Sequence, residues 1–251
     1  MQETLDEAEA VHGGDSALSA TGERQLRFHL RTKPADFQVV APHVVYCSPL
    51  QRALRTALAA YPERRIVVDP RLREIDTRAG MQAEQLRSFV ATAAPQRKAK
   101  IDTAKVPEAV WWGDEDQDAA TKRVQRFLKE ICKTTSKGKV VALVSHSLLF
   151  KTMIGELKPF PKTWGSARGF PRNMKLYYGT VDDTAPEKLK VAPSAADSAT
   201  LLLLRHAHSR AQAGLTLRKK IDKFKASPNK TADAASALDR QIKKFSTPTC
   251  G

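Results

Sequence analysis

Only three cysteines, Cys47, Cys132 and Cys250, occur in the 251 residues. They stand far apart with no paired metal-ligand spacing, which excludes a zinc finger or ribbon and a disulfide-built scaffold. Long apolar runs are also missing. The longest, such as Thr200–Leu204 and Val140–Val144, are strand-sized and fall well short of the ~20 residues a bilayer-crossing helix needs. Aromatic residues make up 6% of the chain, with no RNP-type aromatic pattern or other recognisable nucleic-acid module. The first sixteen residues lack the basic character of a signal or transit peptide, since they carry Glu3, Asp6, Glu7, Glu9 and Asp15. The expectation is a reducing, intracellular and cytoplasmic setting without a membrane span. A mitochondrial or other organellar location, reached with an import sequence since trimmed, is the alternative.

What is present is an ordinary globular composition, 41% hydrophobic and 27% charged, in a chain long enough to bury a full core. The net charge of +15 is less ordinary. From Arg218 to Lys244 nine Lys or Arg stand against three Asp. Such a surplus suits a polyanion, a protein complex or a phosphorylated substrate, although charge runs are usually no more than solvated helix surface.

Apolar runs alternate with helical patterns, the signature of an α/β domain. Strands are expected at Val44–Ser48, residues 65–69, Lys139–Ser145, residues 174–181 (as an edge strand) and Thr200–Leu204. The near-continuous apolar run of Lys139–Ser145 suits a strand buried on both faces. Thr121–Ile131 sets Val124, Phe127, Leu128 and Ile131 on one helical face, and residues 82–93 and 147–157 also read as helices. In the tail, Leu217, Ile221 and Phe224 repeat the spacing of Leu238, Ile242 and Phe245 across a turn at Ala226–Lys230, giving a basic helical hairpin. Residues 182–198, with Pro186 and Pro193 among Ala, Asp and Ser, read as a linker. The organisation expected is one domain over 1–251: a core of 15–181 plus 199–216, the linker 182–198, and a basic helical extension over 217–251.

Five short motifs stand at the junctions. Ser48–Ala57 reads SPLQRALRTA, Leu72–Ile75 reads LREI, Ser145–Ser147 reads SHS, Asp15–Gln25 reads DSALSATGERQ, and Leu204–Ser209 reads LRHAHS. Each is weak alone: an Arg-His pair is more often a surface accident, a lone His a satisfied core residue, a lone Glu a salt-bridge partner. His206 and His208 share a strand face, yet no Cys or carboxylate pattern completes a metal shell and Arg205 would repel a cation. A metal site is therefore not expected.

Taken together these motifs resemble the histidine phosphatase superfamily, with its phosphoglycerate mutase-like fold. In that family the Arg-His motif comes first and the Leu-Ser, Ser-Pro-Leu-x-Arg, acid and Ser-His motifs follow. Here the order holds from residue 15 to 147, but Arg205-His206 has moved to the end. The resemblance thus implies a circularly permuted, three-layer α/β/α sandwich with a mostly parallel sheet. It covers roughly residues 15–180 and 199–212. SPLQRALRTA, the Trp111-Trp112 pair and VSHS look more like the phosphoglycerate mutase-like branch of fungi and plants than like the glycolytic mutases. Ala207 replaces the common Gly, His208 a common Glu and Gln212 a common Asn, which puts substrate contacts in doubt more than the catalytic core.

The resemblance also implies roles. His206 would be the nucleophile that becomes a phosphohistidine. His146 would donate a hydrogen bond to the phosphoryl group, and Glu74 would serve as acid and then base. Arg205 and Arg52 would clamp the phosphate, with Ser209 as a further donor. No metal and no cofactor would be needed. The expected activity is a metal-independent phosphatase acting on a small phosphorylated substrate. A mutase is disfavoured because no equivalent of the larger mutases' cap segments is evident. The alternative is a repurposed phosphatase-fold subunit of a larger, organellar or RNA-containing complex, docking through the basic tail 217–251.

Overall fold

The computed structural model describes residues 15–32, 41–75, 77, 80–93, 100–134, 139–154, 173–182, 185–192 and 201–207. Four apolar segments, β1 (Val44–Cys47), β2 (Ile66–Val68), β4 (Val141–Ser145) and β7 (Leu201–Arg205), form the parallel centre of the sheet. The short β3 (Ile101–Asp102) extends it beyond β2, while on the other side β5 (Leu176–Asp182) pairs antiparallel with both β7 and β6 (Ala185–Ala192). The order across these seven strands is β3-β2-β1-β4-β7-β5-β6.

The period-two alternation of each strand divides its side chains between two layers. Val45, Cys47, Ala142, Val144, Leu202 and Leu204 pack against α2 (Gln51–Ala60) and α3 (Ala83–Ala93) through Leu54, Ala57, Leu58 and Leu86. Val141, Leu143, Leu201 and Leu203 face the opposite way, onto α4 (Gln117–Thr134) and α5 (Ser147–Met153) through Phe127, Leu128, Leu149 and Phe150. Both sheet faces are covered, which is why the central strands are apolar at nearly every position. The result is a three-layer α/β/α sandwich of the phosphoglycerate mutase-like kind. A further helix, α1 (Ala20–Thr32), lies over α2, where Leu18 and Leu26 meet Ala59 and Ala207.

The strand order locates the site. From β1 the chain steps outward to β2 and β3, then returns across the opposite face to β4. The direction of winding therefore reverses between β1 and β4, the place where open α/β sheets leave a crevice beyond their carboxyl ends. β7, the last of the described strands in sequence, lies between β4 and β5.

Two expectations need correction. Residues 182–198 are not simply a linker: β5 runs through Asp182, and Ala185–Ala192 is a strand pairing Val181 with Leu189 and Gly179 with Val191. Pro186 is compatible with this because β6 is the outermost of the described strands, where a missing N–H need not break a ladder. Consequently β5 is internal, with β7 on one side and β6 on the other. The strand β3 was not expected; it is two residues long and has too little pattern to detect. The basic hairpin of 217–251, Ser209 and residues 193–198 lie outside the described residues. No described helix is long and apolar enough to cross a membrane.

Leu203 is completely buried between the helical layers and the sheet. Its replacement by Ala is expected to destabilise the fold by about 2–5 kcal/mol through lost burial and residual cavity, read as a lower urea midpoint at unchanged m-value.

Candidate active site

Three strand ends bring the first polar groups together. Ser48 follows β1 and His146 follows β4, and these two meet across the switch point, His146 Nε2 lying 2.8 Å from Ser48 Oγ. The parallel register pairs Ser145 of β4 with Arg205 of β7, and the ladder continues one step as His206 N–H donates to the Ser145 carbonyl at 3.1 Å. His146 and His206 therefore emerge side by side, with ring centroids 4.9 Å apart and planes tilted by 57°. Both are buried.

The Arg205-His206 segment is held from two sides. Met174 N–H donates to the Arg205 carbonyl at 3.0 Å, and Asn173 Nδ2 donates to the His206 carbonyl at 2.5 Å. Met174 adopts a left-handed backbone with φ of 58°, a conformation that costs a side-chain-bearing residue roughly 1–2 kcal/mol. It lets two consecutive residues reach two consecutive carbonyls. From the other side Ala207 N–H donates to Thr56 Oγ1 at 3.0 Å, while the Thr56 hydroxyl donates to the Arg52 carbonyl at 2.7 Å. Thr56 thus ties the segment after His206 to the first turn of α2, which carries Arg52. Within the His206 ring, Nδ1 lies 2.5 Å from the Ala207 carbonyl. A carbonyl can only accept, so Nδ1 carries the proton and the neutral ring keeps its lone pair on Nε2.

Glu74 sits in a segment whose carbonyls are almost all satisfied by side chains. Pro70–Leu72 form a single-turn 3-10 helix capped by Asp69. Arg123, buried on α4, donates to the Arg71 and Arg73 carbonyls and pairs with Glu115. Ser145 Oγ donates to the Leu72 carbonyl at 2.7 Å, and Thr77 Oγ1 donates to the Glu74 carbonyl at 2.6 Å. With the backbone pinned in this way, Glu74 Oε1 accepts from Ile75 N–H and Leu149 N–H, both at 3.1 Å, the latter in the first turn of α5. Arg73 and Arg123 share Glu115, so the pinning depends on a buried ion-pair cluster.

The electrostatics follow from burial of unlike charges. Desolvation raises the Glu74 carboxyl above its ordinary pKa, against the pull of Arg52 and the backbone N–H donors. Burial, reinforced by Arg52, His206 and Arg205, holds His146 well below the usual imidazole value. Arg205 and Arg52 each lose hydration, and each regains stabilisation from Glu74. Asp15 adds a second carboxylate: its Oδ1 accepts from Gln51 N–H at 2.7 Å at the start of α2. Desolvation lifts its pKa from 3.8 to about 6, while Gln51 and Arg52 oppose the rise.

Five of the six residues expected from sequence therefore converge: His206, His146, Glu74, Arg205 and Arg52. The sixth, Ser209, lies outside the described residues. Two buried imidazoles, two guanidiniums and a carboxyl of raised pKa can receive a dianion, attack it and exchange a proton with it. Among the described residues no cluster of three His, Cys, Asp or Glu is arranged to hold a metal. Sequence reasoning assigned no part to Ser48, Thr56, Asn173, Arg123 or Asp15. Ser48, Thr56 and Asp15 lie inside the quoted motifs, but their contacts span 98, 151 and 36 positions, which no local pattern shows.

The family model of the histidine phosphatase superfamily (branch 1) matches residues 3–189. The chain belongs to this superfamily. Its matched span includes Arg52, Glu74 and His146, whereas Arg205 and His206 lie beyond it. No curated protein and no solved structure matches the chain significantly. Membership carries phosphatase- or mutase-type chemistry.

Two predictions test this construction. Arg123→Met removes one of the two arginine partners of the buried Glu115 and two backbone contacts, so a loss of about 3 kcal/mol is expected in chemical denaturation. For Asp15 the folded-state pKa of about 6 lies above the unfolded value of 3.8. The folded protein therefore holds the proton more tightly, and Asp15 costs stability as pH rises through that window. At roughly 1.4 kcal/mol per unit, Asp15→Asn should gain about 2–3 kcal/mol on wild type between about pH 4 and pH 7. Parallel stability–pH curves for the two proteins would refute it.

Proposed function

We propose that this protein is a metal-independent phosphatase that hydrolyses small phosphomonoesters through a phosphohistidine at His206. The observation that carries the reading is the adjacency of His146 and His206, 4.9 Å apart at neighbouring strand ends, within electrostatic range of Arg52, Arg205 and Glu74.

The chemistry runs in two steps. Arg52 and Arg205 bind the phosphoryl oxygens, their planar forks matching a dianion better than ammonium groups would. His206 Nε2, its lone pair directed by the Nδ1–H bond to Ala207, attacks phosphorus as the P–O ester bond breaks. The leaving alkoxide takes the proton of Glu74, whose hold on it burial strengthens. Water then attacks the phosphohistidine, Glu74 takes up its proton, and inorganic phosphate leaves with His206 restored. Both guanidiniums stand in place before charge develops, so little reorganisation is required.

The chain is, in this reading, a circularly permuted member of its superfamily. Supporting it, the motifs from residue 15 to 147 keep the family order while β7 with Arg205-His206 comes last in sequence. Its position between β4 and β5 gives it the neighbours the chemistry requires. The basic segment 217–251 is proposed to engage a polyanionic or protein partner.

With a generic aryl phosphate, turnover is expected in the presence of EDTA. His206→Ala should reduce it by on the order of 10^4-fold or more, and acid-quenched wild-type protein should carry phosphate on His206. Turnover that survives in His206→Ala would overturn the mechanism. Absence of turnover in wild type, with retention in a large assembly, would favour the repurposed-subunit alternative.

A further inference from the structure

The contact between Ser48 and His146 does more than join two strand ends. Ser48 is completely buried. Its Oγ accepts a hydrogen bond from Leu50 N–H at 3.3 Å and lies 2.8 Å from His146 Nε2. Among the described residues the hydroxyl has no other hydrogen-bonding contact. A serine hydroxyl has one proton to give, and His146 Nε2 is the acceptor within reach of it.

The opposite arrangement, with Nε2–H donating to Ser48, fails on two counts. It leaves the proton of the buried Ser48 hydroxyl without an acceptor among the described residues. It also leaves a bare lone pair on His146 Nδ1, a buried atom with no hydrogen-bond partner among the described residues. Leaving two buried polar groups unmatched is unfavourable, and the bare lone pair would oppose an anionic phosphoryl oxygen. A doubly protonated ring is disfavoured by burial and by Arg52, His206 and Arg205.

We propose that Ser48 is a positioning residue that fixes His146 as the Nδ1–H tautomer, so that a neutral N–H donor meets the phosphoryl oxygen beside His206. The inference rests on the phosphatase reading for the identity of the acceptor, but not for the tautomer. The two imidazoles then share one pattern through different means. His206 has its Nδ1 proton fixed by a backbone carbonyl, leaving Nε2 as nucleophile; His146 has Nε2 occupied by a hydroxyl, leaving Nδ1–H as donor. One motif, SPLQR, thereby supplies both a phosphate-binding arginine and the group that sets a histidine's protonation.

Histidine-labelled protein examined by two-bond proton–nitrogen NMR at neutral pH reads the tautomer directly, and His146→Gln assigns the signal. Wild type is expected to show His146 neutral and protonated on Nδ1, and Ser48→Ala a mixture of tautomers. With aryl phosphate, Ser48→Ala should lose about tenfold or more in kcat, roughly the worth of one hydrogen bond, at nearly unchanged KM. Ser48→Thr, which keeps the hydroxyl, should recover most of the tautomer preference. An Nε2–H ring in wild type overturns the proposal, as does a Ser48→Ala spectrum identical to wild type. The spectrum decides this whether or not the protein turns over substrate; lack of turnover would count against the phosphatase reading alone.

Discussion

The parallel pairing of β4 with β7 is the constraint on which the site depends. Its register sets Ser145 opposite Arg205 and ends with His206 N–H on the Ser145 carbonyl. Once that register is fixed, His146 and His206 have nowhere to go but side by side. A slip by one residue would turn each leucine of β7 to the wrong helical layer. The apolar alternation that builds the two cores therefore enforces the placement of the imidazoles as well. Core and site share one specification.

Burial makes these groups useful at a cost in hydration. Arg52, Arg205 and Glu74 are each partly stripped of water, and their mutual attraction offsets part of the penalty. The same low-dielectric surroundings move two titrations in opposite directions, the Glu74 carboxyl up and the His146 imidazole down. Both shifts favour the uncharged form of the group, because burial penalises a carboxylate and an imidazolium alike. Backbone pinning adds to the effect: Arg123, Ser145 and Thr77 hold the Glu74 segment by its carbonyls, which fixes where its side chain starts.

Much of this was legible in the sequence because it rests on strong local patterns. Apolar runs such as VALVS and LLLLR have no room for polar residues when both faces are covered. Polar residues that follow such runs at once, such as His146 and Arg205-His206, must lie at strand ends. What escaped was long-range or weakly patterned. The β6 strand hid behind Pro186 and the alanines of a stretch that reads as linker, since an edge strand need satisfy a ladder on one side alone. Ser48, Thr56 and Arg123 looked like ordinary members of helix starts and an amphipathic helix, because their partners stand 98, 151 and about 50 positions away. Tertiary hydrogen bonds leave no periodicity.

The position of Arg205-His206 in the chain separates two kinds of adjacency. Catalysis needs neighbours in the sheet, and strand order supplies them whatever the order of synthesis. What chain order does change is how the histidine segment is secured. Here it follows a strand flanked by β4 and β5, both earlier in sequence, and it is gripped by Asn173, Met174 and Thr56 from segments already laid down. The contacts that position His206 therefore span long loops, the costliest to close. The placement of His206 beside His146 thus draws on β4, β5, β7 and α2 together, not on any one local segment.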